Sequence, residues 1–223
     1  MRLSVDQHAR VSAAVAAAEA NTSGEIVAIA AGNSDAYHDV ALHWAMLAML
    51  LVVALVAAVP QCAVDLLDRI TGRWGAEWSL SQLASILLAT LALTFLLARL
   101  ATLPMAVRML LTPGATKTRR VRRRALAMFR AAIEGRTHGS TGVLIYLSLD
   151  EHRAEIIADA GIHEKVPAEF WADAMAALLA ATRDGRPGDG MADAIGLIAG
   201  PLAEHFPRGH DDRNELPDRL IEL

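Results

Sequence analysis

Twenty consecutive residues without a formal charge, VALHWAMLAMLLVVALVAAV from Val40 to Val59, constrain this chain more than anything else in it. An α-helix rises about 1.5 Å per residue, so the run covers about 30 Å, the thickness of one hydrocarbon core. A second run, from Trp78 to Ala98, opens on Ser79, Ser81 and Gln82 and then stays uncharged and mostly apolar until Arg99. Helices apolar all round need either lipid or a large protein core to cover them, and 223 residues cannot supply such a core twice. Two transmembrane helices, over about 40–59 and 78–98, are therefore expected, in keeping with a composition that is 54% hydrophobic.

Charge then sets the orientation. Lys and Arg close to the ends of spans stay on the cytoplasmic side. The loop between the runs carries only Arg69 and Arg73, whereas Arg99, Arg108 and the stretch TKTRRVRRR, with six cations between Lys117 and Arg124, follow the second run. Both termini are expected in the cytoplasm, making this a multi-pass protein of the cell (inner) membrane. Trp44 is expected at the inner interface, and Trp74 and Trp78 at the outer one. MRLSVDQHAR has no apolar segment after its basic residue and does not read as a signal peptide. The arginine cluster is not a nucleic-acid grip. No aromatic residue interleaves with it, and the other 15 basic residues are outnumbered by 25 acidic ones. Val121, Ala125, Met128, Phe129, Ala132 and Ile133 recur at helical spacing, which turns the arginines Arg119 to Arg124 to a wet face able to meet anionic lipid heads.

The polar flanks predict one small α/β domain split by the hairpin. Ser4 and Gln7 have the form of a capping box, opening a helix to about Ala20. EIVAIAA from Glu25 is a short buried strand. After the arginine-bearing helix, expected to end near Arg136, GVLIYLSL and RAEIIADAG make a hairpin joined by Asp150, Glu151 and His152. Pro167 opens a further helix, RDGRPGDG is a loop, and a last helix starts near Met191. Neither flank can bury its apolar faces alone, so three strands and four helices are expected to assemble from residues 1–37 and 114–207. The hairpin occupies 38–113, and 208–223 reads as a loosely held polar tail.

AEANTSGEIV (Ala18 to Val27), TGVLIYLSLDEHRAEIIADAGIHEKVPAEFW (Thr141 to Trp171) and AIGLIAGPLAEHFP (Ala194 to Pro207) resemble the TPM-domain family. Its members include a thylakoid-lumen acid phosphatase of photosystem repair and a receptor-auxiliary protein. The resemblance covers the two polar flanks and none of the spans. It implies an α/β sandwich, and phosphatase activity or an auxiliary role as alternatives.

The residues themselves show no nucleophile motif: there is no P-loop, no H-E-x-x-H, no C-x-x-C and no G-x-S-x-G. Cys62 falls in the outer loop, and none of the eight histidines pairs at i,i+4 to suggest a transition-metal site. His43, in the first run, reads as a structural residue. Hard cations prefer several carboxylate oxygens converging from loops. Glu25, Asp159 and Asp189, at strand ends and in a glycine-rich loop, are accordingly the expected ligands for Ca2+ or Mg2+, with a strand terminus or a helix cap as the plainer role of each. The function expected is a membrane-anchored, cytoplasm-facing binding or auxiliary module for a membrane-protein partner, acting through such a cation. The alternative is a metal-dependent acid phosphatase.

The topology is open to a direct check. An impermeant maleimide applied to intact spheroplasts is expected to label Cys62, and labelling that appears only after lysis would reverse the orientation.

Overall fold

The structure is a computed structural model and describes residues 3–72, 77–134, 141–209 and 215–223. Its elements run α1 (Val5–Glu19), β1 (Glu25–Ala31), α2 (His38–Ala58), α3 (Pro60–Thr71), α4 (Leu80–Ala101), α5 (Met105–Leu111), α6 (Gly114–Ala132), β2 (Gly142–Ser148), β3 (Arg153–Ala158), α7 (Ala160–His163), α8 (Ala168–Arg183), α9 (Pro187–His205) and β4 (Ile221–Glu222). They fall into two compact units, Met1–Asp35 with Gly114–Leu223, and Ala36–Pro113.

The first unit is built on a sheet of order β3-β2-β1-β4. β1 pairs in parallel with β2 over its whole length, from Glu25 opposite Gly142 to Ala31 opposite Ser148. β2 and β3 are antiparallel, and His152, at φ 50°, supplies the left-handed residue of their turn. Both central strands are buried throughout because helices cover both faces. Ile26, Ala28, Ala30, Val143, Ile145 and Leu147 point to the layer that contains α1, α8 and α9. Val27, Ile29, Leu144 and Tyr146 point the other way, onto Val121, Ala125, Phe129 and Ile133 of the α6 segment. The apolar spacing read in that helix is thus its buried stripe, and the expected capping box of Ser4 and Gln7 opens α1.

Three features depart from the sequence expectation. Residues 215–223 are not a loose tail. Leu216 and Leu220 are buried, and β4 adds to β1 in parallel through Ile29 opposite Ile221 and Ala30 opposite Glu222. Without β4, β1 with its seven buried residues would be an open edge, and Leu216, Leu220 and Ile221 are too few to stand out from the prolines and charges around them. α9 begins at Pro187 rather than Met191, since proline is favoured in a first helical turn and glycines 188 and 190 allow close packing. Phe170, which the apolar spacing of that helix puts on one stripe with Ala174 and Leu178, stays exposed, while those two are buried.

In the second unit two helices, α2 and α4, are long and apolar enough to cross a membrane. α4 starts on a second capping box, Ser79 with Gln82. The connection between them is not a plain loop, because α3 is an amphipathic helix opened by Pro60. Trp78 donates to Asp68 of α3 at 2.8 Å. Trp44 donates to the Leu111 carbonyl at 3.3 Å, and His43 has its Nδ1 2.6 Å from the Asp39 carbonyl, a local structural role. Arg108 of α5 donates to the carbonyls of Ala36, Thr102 and Leu103 at 2.6, 2.9 and 2.6 Å, tying the entry of the hairpin to its exit. Arg73 and Trp74, and the expected helix end at Arg136, lie outside the described residues.

Helix α9 packs on α8 through Gly190. A Cβ there would come within 2.8 Å of the Ala181 Cβ and 2.9 Å of the Leu178 carbonyl oxygen. Gly190→Ala is expected to destabilise the fold by about 1–3 kcal/mol, read as a lower denaturation midpoint with an unchanged slope.

Candidate functional site

Pairing Glu25 with Gly142 brings the amino ends of β1 and β2 together, and two of the three expected cation ligands lie there. The Glu25 carboxylate accepts from the backbone N–H groups of Glu215 and Leu216, each at 3.2 Å. Asp159, just before α7, accepts from the Gly142 N–H at 3.1 Å. Asp189 lies elsewhere. It sits in the first turn of α9, where the helix dipole favours an acid, and it pairs with Arg10 of α1 and with Arg186, the latter at 3.6 Å. The other end of α9 is the one near Glu25: the Phe206 carbonyl accepts from Ser23 N–H at 2.9 Å and from Thr22 Oγ1 at 2.7 Å. Nineteen residues of helix separate these ends by about 28 Å. The three carboxylates therefore do not converge. Among the described residues no group of three or more His, Cys, Asp or Glu side chains is arranged to hold a metal ion.

A different carboxyl cluster forms beside Glu25. Glu19 ends α1 with its side chain buried, and its Oε1 accepts from the Ile26 N–H at 2.8 Å. Its Oε2 is also buried and meets no donor among the described residues. Glu19, Glu25, Asp218, Thr22 and Arg208 line a cavity of about 110 Å³. Burial pushes the Glu19 carboxyl up to about 8, and the charges of Glu25 and Asp218 push the same way against the Ile26 hydrogen bond. Burial also raises Glu25, opposed by its two backbone donors. A protonated Glu19 is the form that suits this place, since its hydroxyl can donate toward Asp218.

At the carboxyl ends of β1 and β2 lies a second polar network. Ser34 N–H donates to Glu151 Oε1 at 2.8 Å, Ser148 Oγ donates to Glu151 Oε2, and the Ser34 and Tyr146 hydroxyls are 3.1 Å apart. Asp35 follows, held by Arg120 at 3.1 Å and Arg123 at 3.2 Å. Sequence reasoning missed both networks. The parallel register of β1 on β2 brings Ser34 to Tyr146 and Glu151, and the C-terminal segment carries Arg208 and Asp218 to Glu19 and Glu25.

The TPM domain family model matches residues 102–200. That segment is similar to the TPM domain. The match takes in α5 to α8, β2 and β3, and most of α9, while α1 and β1 precede it and β4 follows it. The chain is also similar to the BA42 protein of the psychrophilic bacterium Bizionia argentinensis, solved by NMR. That likeness has a TM-score of 0.57 and 19% identity, and covers 100% of this chain and 97% of the other, which shows a shared fold. No curated protein matches the sequence.

The buried carboxyl gives this domain a pH signature. A folded carboxyl near 8 against an ordinary value of 4.5 means that the native state holds a proton the unfolded chain has lost. Stability from this group is complete below about 4.5 and falls as pH rises, until it is lost above about 8. Glu19→Gln keeps the acceptor and a donor but cannot ionise. It is expected to leave the melting temperature unchanged near pH 4 and to raise it by several degrees at pH 8.5.

Proposed function

We propose that the chain is a membrane-anchored binding module, in which α2 and α4 cross the cell membrane as a hairpin and the α/β domain faces the cytoplasm to engage a membrane-protein partner. The supporting observation is where the apolar surface lies. In the most apolar stretch of α2 only 17% of residues are buried, and in that of α4 none, although their mean hydropathies are 2.5 and 2.1. Leu50, Leu55, Leu88 and Leu96 are each more than 60% exposed. A soluble protein does not leave two such helices in water, whereas hydrocarbon covers them at no cost. The domain needs neither helix for its core, since both sheet faces are closed by α1, α6, α8 and α9. This reading does not rest on a bound cation, because Glu25, Asp159 and Asp189 are engaged separately.

Alkaline carbonate washing of membranes is the test. The full chain is expected to stay in the pellet, and a variant in which a short Gly/Ser linker joins Asp35 to Gly114 is expected to move to the supernatant and melt cooperatively. Extraction of the full chain would sink the anchor, and an aggregated variant would make the hairpin part of the core. The same samples given a phosphomonoester are expected to show no turnover.

A further inference from the structure

The arginines of α6 do not all face the same way. Val121, Ala125 and Phe129 are buried, and Arg120, only 13% exposed, turns in to Asp35. The opposite side carries Arg119, Arg122, Arg123 and Arg130 around Leu126 and Ala127, and together they bound a shallow open depression. Acidic neighbours do not cancel this side. Arg123 shares Asp35 with Arg120, Arg122 faces Glu155 of β3, and Arg130 lies 3.8 Å from Glu134 with both side chains largely exposed, a pair of little energetic weight. The stripe thus joins planar guanidinium groups, which bind phosphate oxygens in pairs, to a small apolar floor suited to a glycerol or acyl segment.

We propose that this stripe, Arg119, Arg122, Arg123 and Arg130, binds the phosphate headgroups of anionic phospholipids. The proposal rests on the membrane anchor above, and it commits to lipid because α6 starts at Gly114, shortly after the apolar helix α4 ends at Ala101. Polybasic segments next to a span on the cytoplasmic side are drawn to anionic lipid. Nucleic acid fits less well, since no aromatic side chain lines the stripe. Arg123 has a second consequence. It also holds Asp35, the last residue of the domain before the chain enters the hairpin unit. A headgroup on Arg123 competes with that carboxylate, so lipid composition acts on the junction as well as on the surface.

The experiment follows the melting of the detergent-solubilised full chain on addition of phosphatidylglycerol, phosphatidylcholine, inorganic phosphate or a single-stranded oligonucleotide. Phosphatidylglycerol is expected to raise the midpoint by several degrees when well above its Kd, and the other three to leave it unmoved. The triple variant Arg119→Gln, Arg122→Gln, Arg130→Gln spares both Asp35 contacts. It is expected to melt like the parent without lipid and to lose the phosphatidylglycerol shift. No shift in the parent, or a shift that survives in the triple variant, overturns the proposal. So does an equal shift with phosphatidylcholine. Equal shifts with inorganic phosphate would assign the stripe to a free anion, and with the oligonucleotide to nucleic acid. Carbonate washing of the triple variant separates this outcome from the anchor, since a pelleted variant without a lipid shift leaves the hairpin reading intact.

Discussion

Everything in the first unit hangs on the parallel ladder between β1 and β2. Parallel strands cannot be joined by a tight turn, because the chain must return to the starting end before it can pair again. Here the return path includes the whole second unit and α6. The ladder therefore forms only if the excursion delivers the chain back close to where it left. Arg108 bonds the carbonyl of Ala36 and those of Thr102 and Leu103, which fixes the two ends of the excursion to each other. Asp35, gripped by Arg120 and Arg123, fastens the end of the β1 segment to the helix that begins on return. These are polar contacts between residues whose partners lie far away in sequence, yet they determine whether the apolar strands can meet.

Once the ladder exists, its two ends acquire different chemistry. At the amino end, carboxyl groups from α1, β1 and the C-terminal segment share one small cavity with Arg208. Their mutual repulsion is relieved by a proton on Glu19 and by backbone donors on Glu25. At the carboxyl end, Glu151 gathers Ser34 and Ser148. Burial makes both arrangements stiff, because a polar group withdrawn from water must keep its partners. Neither arrangement contains an activated nucleophile among its described contacts, and the fold by itself assigns no reaction.

The sequence was most legible where a single period runs undisturbed. EIVAIAA is β1 residue for residue, the capping box at Ser4 is present, and the stripe from Val121 to Ile133 is the buried side of α6 and the turn that follows it. Reading failed where short segments borrow their structure from elsewhere. β4 is two residues long and exists because β1 has an open edge. α3 is a helix whose charged residues hid its apolar side in a segment read as a loop. The three expected cation ligands share only an acidic side chain and a place at element ends. Nothing in spacing alone reveals that Asp189 lies at the far end of α9, or that Glu19, one helix earlier, is the carboxyl that joins Glu25.

The split of the sheet also orders events in time. β1 is synthesised before the hairpin and β2 after it, and at about 5–20 residues per second the wait between them is on the order of ten seconds. During that interval seven strand residues, all of them interior in the finished protein, have no partner for their backbone groups or side chains. Hydrophobic collapse and helix formation are faster by many orders of magnitude. β1 therefore spends its early life either shielded by other cellular factors or docked against α1 alone, and an exposed edge of this kind is where misassembly with a neighbouring nascent chain would begin.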